Sequence, residues 1–113
     1  MRQSLYMAAK AVPRSWESRL RQRTGRYVIC PFYHAVSDTP IPYISPLYRH
    51  RTTAEFIADL DWLQANYEPV SWQQIDQYEQ LRKPAFCLTF DDGLREFYTT
   101  VAPILQERHI PCV

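Results

Sequence analysis

The most constraining stretch of the chain is Ala85-Phe-Cys-Leu-Thr-Phe90. It is an apolar run broken only by Thr89 and stopped abruptly by Asp91-Asp92-Gly93. A short run without polar alternation suits a strand covered on both faces, as in a parallel sheet. A helix is expected from about 95 to 108. It carries Phe97, Val101, Ile104 and Leu105 on one side and is bent by Pro103. His109-Ile-Pro-Cys-Val113 then begins what reads as another strand.

Upstream, Arg26–Tyr33 is rich in β-branched and aromatic residues and reads as a strand. Thr52 and Glu55 stand at capping-box spacing and open a helix through Phe56, Ile57, Leu60 and Leu63 to near Asn66. After an extended Tyr67–Val70, Ser71 and Gln74 repeat the box, and a second helix is expected over 72–81. Between the first strand and these helices, Pro40, Pro42 and Pro46 impose a long loop over 34–51, of a length that is usually functional or partly disordered. At the N-terminus, Leu5, Ala9, Val12, Trp16 and Leu20 form one helical stripe, kinked at Pro13 and ended at Gly25. Residues 1–25 are therefore read as a helical extension and 26–113 as one α/β unit, with strands alternating with helices in a parallel sheet or barrel.

With 13 basic and 12 acidic residues the net charge is +1, which gives no general attraction to nucleic acid. Six of the arginines precede position 27, a solvated helix face or a weak anionic contact. Cys30, Cys87 and Cys112 sit in apolar stretches without a close pair, as buried thiols in a reducing compartment would. No run is long enough for a membrane span, and the start lacks the apolar core of a signal peptide. A cytoplasmic location is the default expectation.

The chemistry concentrates at Asp91-Asp92-Gly93. Loops at the carboxyl ends of parallel strands form the ligand crevice of α/β folds. Two neighbouring carboxylates in a low-dielectric cleft repel, and a divalent cation relieves this. One acid can then ligate the metal while the other accepts a proton from water. The same three letters also make an ordinary turn. His34, at the end of the first strand, either lines the same pocket or is a hydrogen-bonded structural histidine. His50 reads as surface loop and His109 as a helix C-terminal charge. Tyr33, Tyr43 and Tyr48 are packing or sugar-facing rim residues.

The stretch from Leu88-Thr-Phe-Asp-Asp-Gly93 through Val113, with Phe32-Tyr-His-Ala-Val-Ser-Asp38 upstream, resembles the polysaccharide deacetylases, the NodB-homology group of carbohydrate esterases. The resemblance runs over roughly 27–113. It implies the N-terminal part of an irregular (β/α) barrel, truncated after about three strands, in a metal-dependent enzyme that hydrolyses acetyl groups from a polysaccharide or amino-sugar glycan. It implies Asp91 as general base and Asp92 as ligand of a zinc-, cobalt- or nickel-type ion, with no organic cofactor. The family completes its site with a downstream His-x-x-x-His pair and a further histidine. His34, His50 and His109 do not supply that spacing. The 113 residues are thus expected to bind metal weakly, to be inactive alone, and to fold incompletely. The alternative is a non-catalytic remnant of the same fold that binds glycan or a partner. An unrelated α/β protein using the acidic pair for magnesium ranks last, because it would need a further strand-end Asp and Lys.

Overall fold

The structure, a computed structural model, describes residues 27–77, 81 and 83–113. The N-terminal stripe from Leu5 to Leu20 and the turn at Gly25 lie outside these residues.

The buried run forms the central ladder as two short segments, β4 (Ala85–Phe86) and β5 (Thr89–Phe90). The first expected strand is likewise split, into β1 (Val28–Ile29) and β2 (Phe32–Tyr33). Both halves keep one parallel register, Val28 opposite Ala85 and Tyr33 opposite Phe90. Amide donations from Ala85, Cys87, Thr89 and Asp91 to Tyr27, Ile29, Pro31 and Tyr33 run through the break. The split arises at Pro31, which has no amide proton to return to the ladder. On the other side of the central segment, β3 (Glu68–Pro69) pairs in parallel with β4. Farther along, Cys112 bridges Leu88 in parallel, and Phe90 N–H donates to the Val113 carbonyl at 2.7 Å.

Every residue from Ala85 to Leu88 is fully buried. Side-chain alternation sends Phe86 and Leu88 to the larger core, with Phe56, Leu60, Leu63, Val101 and Leu105. Ala85 and Cys87 go to a smaller cluster with Val70 on the opposite face. Of the three thiols expected in the interior, only Cys87 is fully buried. Cys112 is intermediate and Cys30 exposed.

Helix α1 (Thr53–Asn66) starts where the capping box predicts. Glu55 N–H donates to Thr52 Oγ1 at 3.2 Å, and Thr52 N–H donates back to Glu55 Oε2 at 3.0 Å. That backbone bond is the main reason the Glu55 carboxyl is held below its ordinary range. Burial opposes it, and the nearby Arg49 and Arg51 charges reinforce it. Helix α2 (Trp72–Ile75) is shorter than the expected 72–81, giving way to a turn at Asp76–Gln77. Residues 78–80 of that span lie outside the description. The last helix contains a π-turn over Phe97–Val101 that passes into α3 (Ala102–Glu107). The wider turn accommodates Pro103, which cannot donate an amide and crowds the carbonyl four residues earlier.

The loop over 34–51 is folded back on itself. Its ends are bridged, with Ser37 N–H donating to the Arg51 carbonyl at 2.9 Å. Ile41 and Ile44 are buried beneath it, packed with Ala35, Tyr48 and Leu94. This is the construction of a compact Ω-loop.

Candidate functional site

The parallel register decides what meets at the carboxyl ends of the strands. Tyr33 and Phe90 are register partners, so His34 and Asp91, the next residue on each segment, emerge side by side. The Asp91 amide is tied to the Tyr33 carbonyl at 2.9 Å, which fixes its backbone to the sheet. Asp92 and Gly93 then turn with φ of 70° and 53°, both left-handed. That reversal brings Asp92 back beside Asp91 instead of alternating away from it.

The imidazole of His34 faces both acids. Its Nε2 lies 3.6 Å from Asp91 Oδ2 and 3.8 Å from Asp92 Oδ2. Both separations exceed a hydrogen bond. The His34 side chain is 22% exposed, and its ring is held edge-on by Phe32 and by Tyr48. The three residues singled out from sequence are therefore brought together. The burial expected of the acids is not observed. The Asp91 and Asp92 side chains are 55% and 63% exposed. Water screens their repulsion, so burial alone forces no cation between them.

Beneath the site runs a network the sequence reading did not anticipate. Tyr33, expected as packing or a sugar-facing rim residue, is buried, and its hydroxyl donates to Asp59 Oδ2 at 3.1 Å. Asp59 on α1 also accepts a hydrogen bond from Arg51 Nη2 at Oδ1, 3.0 Å, and its Oδ2 forms an ion pair with Arg51 Nε at 3.0 Å. Arg51 ends the long loop, so one carboxylate joins the strand residue before His34, the helix and the loop. The positions are far apart in sequence and carry no local signal. Of the other tyrosines, Tyr43 is exposed and Tyr48 touches His34.

The remaining histidines sit elsewhere. His50 Nε2 lies 3.2 Å from the Thr39 carbonyl. His109 has φ 54° and terminates α3. Its amide donates to the Gln106 carbonyl at 3.2 Å, and the Ile110 amide donates to that of Leu105 at 3.0 Å, a Schellman closure. A hollow of about 530 Å³ lies against that end, between Phe97, Leu105, Ile110 and Cys112, and holds none of the three site residues.

For a divalent ion the donor types fit: one imidazole nitrogen and carboxylate oxygens. The donor set remains open, and among the described residues no group of three or more His, Cys, Asp or Glu side chains forms a metal-holding cluster. Also among the described residues, no helix is long and apolar enough to cross a membrane.

No protein-family model matches the chain. A segment of 57 residues is 49% identical to poly-beta-1,6-N-acetyl-D-glucosamine N-deacetylase of Escherichia coli K12, covering 46% of this chain and 8% of that protein. The protein of the same name from Escherichia coli O157:H7 matches equally. The chain thus spans under a tenth of the length of the curated relatives it matches. Part of this chain is similar to a glycan N-deacetylase, and that similarity covers less than half of it.

Proposed function

We propose that residues 27–113 form the N-terminal part of a metal-dependent (β/α)-barrel deacetylase acting on an acetylated amino-sugar glycan. The observation that carries this is the convergence of His34, Asp91 and Asp92 at the carboxyl ends of two paired parallel segments. The partial identity to a glycan N-deacetylase supports it. Asp92 would hold a zinc-, cobalt- or nickel-type ion together with donors beyond the three at hand. Such an ion, when bound, acidifies water and polarises the acetyl carbonyl. Asp91, its backbone pinned to the sheet, accepts the proton of the attacking water. His34 faces both acids and is the described side chain placed to hold a proton for the departing amine.

A second reading, a non-catalytic glycan-binding remnant, draws on the solvent exposure of both acids and the open donor set. One assay separates the two: amine release from N-acetylglucosamine oligomers by the native protein, in the presence of zinc, cobalt or nickel. The deacetylase reading expects release that falls about 10²- to 10⁴-fold in Asp91→Asn. Release indifferent to Asp91 discards that assignment. Oligomer binding with no release selects the remnant.

A further inference from the structure

Phe32 stands two residues before His34 on the same strand, and its side chain is 50% exposed. A half-exposed Phe forgoes part of the stabilisation that full burial would give. Single exposed apolar residues are ordinary on protein surfaces. Phe32 differs because its ring abuts the imidazole of the candidate site, edge-on at a centroid separation of 5.9 Å. From the folded loop, Tyr48 meets the same imidazole edge-on at 6.0 Å. His34 is thereby flanked by two aromatic rings, with the carboxylates at its Nε2.

A ligand that suits this surface needs an apolar face to lie on a ring and polar groups to reach the carboxylates beside it. A pyranose meets both demands: its axial C–H groups form an apolar face, and its hydroxyls and acetamido N–H donate hydrogen bonds outward. Among the described residues the exposed indoles, Trp62 on α1 and Trp72 on α2, make no ring contact with His34.

We infer that Phe32 and Tyr48 form an aromatic corner seating the apolar face of one N-acetylhexosamine ring, with its acetamido group directed at His34, Asp91 and Asp92. This inference rests on the deacetylase reading and adds the residues that select a sugar.

The test is titration of the native protein with an N-acetylglucosamine oligomer, followed by saturation-transfer difference NMR, in wild type, Phe32→Ala, Phe32→Trp, Tyr48→Ala and Trp72→Ala. The expected result is about tenfold weaker binding in Phe32→Ala, retained binding in Phe32→Trp, and no change in Trp72→Ala. Tyr48 also packs against buried Ile41 and Ile44, so Phe32, the more exposed ring, is the primary probe. Unchanged affinity in Phe32→Ala and Tyr48→Ala, in a protein that still releases acetate, overturns the corner and leaves the deacetylase reading standing. Binding that needs Phe32 without any acetate release supports the corner and removes the catalytic assignment. No oligomer binding by the wild-type protein overturns the corner.

Discussion

Tyr33 and Phe90 are register partners whose rings stack, with centroids 5.5 Å apart and planes inclined by 21°. Each immediately precedes a residue of the candidate site, so this stack sets the spacing of His34 and Asp91. Phe90 is also gripped edge-on by Phe56 at 5.8 Å and Phe97 at 5.0 Å. Phe90→Ala is therefore expected to destabilise the fold by about 3 kcal/mol and to separate His34 from Asp91. Tyr33→Phe keeps the stack and loses the bond to Asp59, at a cost of about 1 kcal/mol. Denaturant unfolding of the two variants measures both.

The capping box of α1 makes a pH-dependent contribution. The Glu55 carboxyl is held below its ordinary value of 4.5, chiefly by the Thr52 amide. Its stabilisation is complete above the unfolded value and is lost as pH falls through the lower folded value. Glu55→Gln is expected to flatten the fall in thermal midpoint on acidification from pH 5 towards pH 3. Thr52→Ala should cost about 1 kcal/mol at neutral pH. Thermal melts across that pH range report both effects.

His109 occupies a left-handed position that glycine adopts without a Cβ penalty. His109→Gly is expected to stabilise the chain by roughly 0.5–1 kcal/mol, the relieved strain exceeding the added entropy of the unfolded chain. A raised midpoint in chemical denaturation is the expected readout. His109→Val should lower it.

The thiols differ in reactivity. Burial, with the neighbouring Cys30 and Cys112 sulfurs, pushes the Cys87 thiol up, and burial raises Cys112 as well. Cys30 is exposed. Alkylation near pH 8 followed by peptide mass mapping should label Cys30 first and leave Cys87 protected until the protein unfolds.

Much of the framework was readable from local chemistry. The apolar run gave the doubly covered central segment, and Thr52 with Glu55 gave the start of α1. The convergence of the acid pair with His34, which ends the neighbouring strand, was also readable, because parallel pairing brings strand ends together. Pro31 also carried a usable signal, since a residue without an amide proton interrupts any ladder it enters, yet Arg26–Tyr33 read as one strand. The exposure of Asp91 and Asp92 was not readable, because nothing local states what covers a strand end. The Tyr33–Asp59–Arg51 junction depends on three segments that meet only after folding. The exposure of Phe32 beside His34 carries no local signal either, because a phenylalanine in a β-rich run reads as core.

The left-handed turn at Asp92 and Gly93 makes the two acids unequal as positions. Asp91 is not in the left-handed region, so its backbone sets no comparable limit on which residue can stand there. Asp92 occupies a conformation tolerated best by Gly, Asn and Asp, so few replacements are conformationally cheap there. An alanine scan would therefore confound geometry with charge at one acid and not at its neighbour. Asparagine at both positions gives the fair comparison, removing the charge while keeping the bend.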